Sequence, residues 1–160
     1  LFRSPSGSSY TERLQRYVHE QFRQAGILVN LDALEWSVFN DRLLERDFEM
    51  VSLSFTGSSE SDPFQVWHSS QAENRGSNYS GFKNADADRI IEQARRTLDY
   101  EQRMEMWHAL HAIIHEEQPY TFLSNRATLG FLDARFRNVR QHPLRHYIAE
   151  WYVPTDAQLH

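Results

Sequence analysis

At 160 residues the chain fits one domain, and with 40% apolar and 13% aromatic residues it has the means to bury a core. A formal charge of −5 argues against nucleic acid as the main partner, and the absence of cysteine excludes disulfides, thiolate nucleophiles and Cys-based zinc sites. No apolar run approaches the roughly 20 residues that span a bilayer, so insertion of this chain into a membrane is not expected. It opens at Leu1-Phe2-Arg3 without an initiator Met, as a processed chain or an excised piece does.

The first helix is signalled by an S-x-x-E capping box at Ser9 and Glu12. Leu14, Tyr17, Val18, Phe22 and Ala25 then recur on one face, and Gly26 stands where a helix C-cap belongs. Residues 27–34 alternate, with Ile27, Val29 and Leu31 on one side, which predicts a strand. Ser37 is placed to cap a second helix to about Arg46, with Val38, Phe39, Leu43 and Leu44 as its apolar residues. A second strand is expected over 48–56, with Val51, Leu53 and Phe55 on one face. If Leu1–Arg3 is also a strand, the order is β-α-β-α-β, which favours parallel pairing through right-handed crossovers. Ligands of open α/β sheets sit beyond the carboxyl ends of strands, so the loop 57–63 is the first place to look for a site.

A short helix from Pro63 to about Ser69 follows, then the polar loop 74–82. Asn84 is placed to cap the next helix, with Asp86 and Asp88 in its first turn. Asp99 and Gln102 resemble another capping box, opening a helix over Tyr100–Glu117 that Pro119 ends. Residues 120–125 read as a strand, and the remainder carries no clear signal.

Enzyme signatures are weak. His108, His111 and His115 share one side of their helix, yet Ala112 stands where a zincin needs Glu, and the three flank an apolar stripe of Trp107, Leu110 and Ile114. Boundary histidines on an amphipathic helix are the simpler reading. The serines of 57–61 lack a G-x-S-x-G elbow, and Ile90 breaks a calcium-loop pattern at Asp86 and Asp88. Arg135, Arg137, Arg140 and Arg145 form a basic cluster that the net charge makes a solvated surface rather than a phosphate site. Two polar loops remain, 57–62 and 74–82. Their glycines and serines expose backbone N–H groups, with Trp67, Tyr79 and Phe82 as flat apolar faces. Composition leaves a binding cleft and a bare surface loop both open.

The stretches "GILVNLDALEWSVFNDRLLERDFEMVSLSFTGSSESDPFQVWHSS", "GSNYSGFKNADADRIIEQARRTLDYEQRMEMW" and "EEQPYTFL" resemble, in order, the C-terminal part of the family 5 extracellular solute-binding proteins. These are the oligopeptide- and dipeptide-binding components of ABC importers. The resemblance covers about residues 10–153. It implies an α/β fold with a mixed sheet and flanking helices, with residues 1–160 a single domain forming most of the C-terminal lobe of a two-lobed protein. It further implies a site of action outside the cytoplasmic membrane, delivery of a small solute to ABC permease subunits, no catalysis and no cofactor. Peptide-binding members carry an Asp after the matching strand end that pairs with the peptide's terminal amine; here Ser58 and Ser59 follow Phe55-Thr56-Gly57, and Glu60 comes next. A neutral serine does not supply that charge-assisted bond, so the solute is a peptide or another small molecule. Ser58, Ser59, Glu60, Asn78 and Tyr79 are the expected ligand contacts: Ser58 and Glu60 hydrogen-bonding, Asn78 orienting, Tyr79 stacking. Phe55 and Trp67 belong either to this cleft or to the core. The alternatives are a solute-sensing lobe of a larger regulator and a His-based metal hydrolase.

Overall fold

A computed structural model of the protein describes residues 1–55, 60–125, 129–140 and 147–158. Where the sequence predicts one domain over 1–160, the chain divides into two compact units, Leu1–Phe55 with Asp62–Tyr120, and Thr56–Ser61 with Thr121–His160.

The first unit opens with β1 (Phe2–Pro5), α1 (Ser9–Gln24), β2 (Leu31–Leu34), α2 (Trp36–Leu44) and β3 (Met50–Val51). The sheet order is β2-β1-β3 and both pairings are parallel, with Phe2 opposite Leu31 on one side and Met50 on the other. Parallel neighbours need crossovers, and α1 and α2 supply them. The expected β-α-β-α-β unit is therefore present, and the α/β class with flanking helices is borne out; all described strands are parallel. The strands are shorter than their apolar patterns. β1 offers only four residues of backbone to either neighbour, so 27–30 and 52–55 run on without a ladder. Arg3 ties the three segments together, its Nε 3.0 Å from Asp32 and its Nη1 2.8 Å from Asp47.

Two caps differ from expectation by one or two residues. Ser8, not Ser9, has the extended cap backbone, and its hydroxyl accepts the Thr11 N–H at 3.5 Å. Glu35, not Ser37, caps α2, its carboxylate accepting the Ser37 N–H at 2.8 Å. A longer acidic side chain one turn-step earlier reaches the same orphan donors. Gly26 follows α1 at φ 80°, the left-handed backbone a helix stop favours.

Then come α3 (Phe64–Trp67), a 3-10 turn over Ser69–Ala72, α4 (Ala85–Arg96) and α5 (Tyr100–Glu117). Asn84 caps α4 through the Ala87 N–H at 2.9 Å, and Asp99 caps α5 through the Gln102 N–H at 2.9 Å, both as predicted. The core lies between these helices: Phe82, Ala87, Ile91, Leu110 and Ile114 are buried, with Phe64, Trp67, Ile90, Trp107 and Ile113 packed around them. Ala87, Ile91 and Ala94 recur at helical spacing, and Ala87 and Ile91 join Leu110 and Ile114 of α5 in the core. Gln118, at φ 45°, turns the chain out of α5.

Residues 120–125 are not a strand, although the sequence reads as one there. Phe122 and Leu123 are exposed, and among the described residues no strand lies alongside to pair with them. In the second unit, described by itself, Arg137 and Tyr152 form an antiparallel bridge, and the Asn138 amide donates to the Glu150 carbonyl at 3.0 Å. Phe136 packs edge-on to Trp151.

Candidate functional site

The loop read from sequence as polar and open is held by a dense set of hydrogen bonds. Its centre is Asn78, whose side chain is 0% exposed. The amide nitrogen donates to the carbonyls of His68 at 3.2 Å and Phe82 at 2.8 Å, while Oδ1 accepts the Phe82 N–H at 3.1 Å and the Ser80 hydroxyl at 3.2 Å. Every bonding direction is used, as burial of an amide requires. The side chain of Asn78, expected from sequence to orient a solute, is fully engaged in folding its own loop.

Further contacts fix the segment. The Asn78 N–H donates to the Gln71 carbonyl at 3.2 Å, and Gly76 packs so closely that a Cβ there would lie 2.3 Å from the Gln71 oxygen. The Arg46 Nη2 donates to the carbonyls of Gln71, Gly76 and Asn78 at 3.1, 3.1 and 3.4 Å. Lys83, the single lysine, meets Glu73 at 2.8 Å and brackets the loop; its hydrogen bond, then its charge, hold the Glu73 carboxyl below the usual range. Upstream, Ser69 N–H donates to Asp88 at 2.8 Å, so that acid serves the 3-10 turn as well as the α4 dipole.

What the loop presents is aromatic. Tyr79 is half-buried, and the Ser80 N–H donates to the Tyr120 hydroxyl at 3.3 Å. Tyr120 packs edge-on against Trp67 at 5.3 Å and against Phe55 at 5.5 Å, and Trp67 meets Phe82 at 6.1 Å. Phe55 is 53% exposed although it continues the line of β3, so these rings form a wall with one open face. Trp67 joins the wall to the core.

Ser58 and Ser59 lie outside the described residues, as does Arg145. Glu60 is exposed and belongs to the second unit. His108, His111 and His115 are exposed on α5, with Leu110 and Ile114 buried between them. Among the described residues no group of three or more His, Asp or Glu side chains could hold a metal ion. Arg135 lies 3.8 Å from Asp133 and over the Phe136 ring, and Arg137 donates to the Ala134 carbonyl, so these two are engaged within their own segment. Sequence reading missed Arg46 and Tyr120. Arg46 stands where a helix-ending Gly is usual, and Tyr120 follows the Pro that ends α5; each was a usable signal.

No family model matches the chain. It is 28% identical to the oligopeptide-binding protein AppA of Bacillus subtilis over 151 residues, which is 92% of this chain and 28% of that protein. It is 23% identical to the dipeptide-binding protein of Escherichia coli over 116 residues, 71% of this chain and 22% of that one. The solved AppA structure, in complex with a nonapeptide, matches 96% of this chain and 31% of that one with a TM-score of 0.71 and 26% identity. The periplasmic binding protein DppA of Helicobacter pylori, in complex with the peptide STSA, shares the fold over 74% of this chain at a TM-score of 0.67 and 20% identity. In sequence and in fold the chain is thus similar to solute-binding proteins, which bears out the resemblance seen in its sequence. Its homologues are, more particularly, oligopeptide- and dipeptide-binding proteins, and it spans less than a third of their length. No described helix is long and apolar enough to cross a membrane.

Proposed function

We propose that the chain forms most of the C-terminal lobe of a peptide-binding component of an ABC importer, acting outside the cytoplasmic membrane and performing no chemistry. It would pass its solute to the importer's permease subunits. The observation that carries the reading is the aromatic wall of Phe55 and Tyr120 beside a loop whose backbone is already fixed, with Tyr79 half-exposed on it. Peptides lack a common side chain, so a receptor for them gains from flat apolar faces and backbone groups on a pre-set frame. Closure of a second lobe over this surface would supply the remaining burial.

The test is calorimetric titration of the full-length protein with short unmodified peptides. Tyr79→Ala and Phe55→Ala should each weaken binding about tenfold, the loss of roughly 1.4 kcal/mol of ring contact. Unchanged affinity in both would remove this surface from the binding site. Tight retention of one discrete non-peptide solute, seen by native mass spectrometry, would overturn the peptide assignment and leave the receptor reading in place.

A further inference from the structure

We propose that Arg46 is a positioning residue for solute binding, holding segment 71–78 so that Tyr79 meets its ligand on a backbone already in place; this rests on reading the loop as a solute-binding surface. The starting point is a backbone anomaly. Helix α2 ends in a Schellman arrangement: the Arg46 N–H donates to the Leu43 carbonyl at 3.1 Å and the Asp47 N–H to the Arg42 carbonyl at 2.9 Å. The residue that makes this turn is left-handed, and Arg46 has φ 57°. Glycine adopts that conformation without the Cβ clash that an arginine suffers there. A strained residue persists where its surroundings use it.

The use is in its side chain. A cation at a helix C-terminus would gain from the dipole simply by lying over the last turn. Arg46 instead sends Nη2 to three carbonyls 25, 30 and 32 residues further on, those of Gln71, Gly76 and Asn78. The contact is reciprocated. Arg75, also left-handed at φ 61°, reaches back to α2, its Nη2 3.3 Å from Asp41 and its Nη1 4.0 Å from Glu45. Between Glu73 and Ser77 no side chain is buried, so apolar packing does not order this stretch. Its order is polar, and Arg46 supplies three of the bonds. A loop that had to be ordered by its ligand would bind more weakly by the fraction of time it spends correctly folded.

The experiment uses the full-length protein with Arg46→Gly, Arg46→Lys and Tyr79→Ala. Glycine relieves the strained backbone and preserves the helix stop. If Arg46 serves only to end α2, Arg46→Gly keeps or raises the melting temperature and leaves peptide affinity unchanged, which overturns the proposal. Positioning predicts faster amide exchange at Asn78 and Phe82 together with about tenfold weaker peptide binding. Should Arg46→Gly also lower the melting temperature, Arg46→Lys decides, because its ammonium keeps the charge but ends one bond short of where Nη2 meets the three carbonyls. Its affinity is expected between wild type and Arg46→Gly at an unchanged melting temperature, and wild-type affinity in that variant contradicts the role. If Tyr79→Ala weakens binding while Arg46→Gly does not, the positioning inference alone fails. If Tyr79→Ala binds as wild type, the reading of the surface fails with it.

Discussion

Along the α4–α5 hairpin, order comes from apolar side chains taken out of water: Ala87, Ile91 and Ala94 are 0% exposed. In the 71–82 loop the one side chain at 0% is an amide, Asn78. The hairpin is specified by volume and periodicity, and swaps that keep both should be tolerated. The loop is specified by individual hydrogen bonds, those of Asn78 and Arg46 above all, so it should fail at single substitutions that barely change its volume. The same unit thus contains a core that stabilises and a surface that is merely held in shape.

Four variants probe that contrast. Ile91→Ala should have the largest effect, a loss of about 2–5 kcal/mol of global stability through an unfilled cavity, read by chemical denaturation. Asn78→Ala should follow, removing four side-chain hydrogen bonds and taking from the buried Phe82 carbonyl its amide donor, at about 1–3 kcal/mol. Its signature should be local, with fast amide exchange confined to the loop; a global loss equal to that of Ile91→Ala would erase the distinction. Asn84→Ala, which removes a helix cap, should cost about 1 kcal/mol, and Asp99→Ala should match it.

The smallest effect belongs to the Lys83–Glu73 bracket, which is exposed. Because Glu73 is held below its ordinary value, its contribution is complete above the usual carboxylate range and is lost as pH falls through the depressed value. Lys83→Met should return the Glu73 titration, followed by NMR, toward the ordinary range. Loop exchange above neutral pH should rise only slightly.

The hairpin was legible in the sequence because its signals are local: Asn84 and Asp99 sit one residue before their helices, and the apolar residues repeat at helical spacing. The β-α-β-α-β order was legible for the same reason. Strand lengths were not, since how far β2 and β3 extend depends on the four residues β1 offers. The "YTFLSN" stretch misled because a β-like composition says nothing about whether a partner edge exists. The loop proposed as the site was legible as a segment, and its internal bonding was not. Composition located the 74–82 loop, but whether Asn78 faces solute or its own backbone depends on His68 and Phe82, and the Arg46 contact spans 25 to 32 residues. Pairings at that separation leave no periodic trace.

The most direct test of the account is amide hydrogen exchange over residues 71–82 in the full-length protein, without and with a saturating mixture of short unmodified peptides. The account predicts slow exchange at Asn78 and Phe82 before any peptide is added, and further slowing at Tyr79 and Ser80 once it is. Fast exchange throughout the unliganded loop, with no change at Tyr79 on adding peptide, would contradict both the pre-set frame and its role in binding.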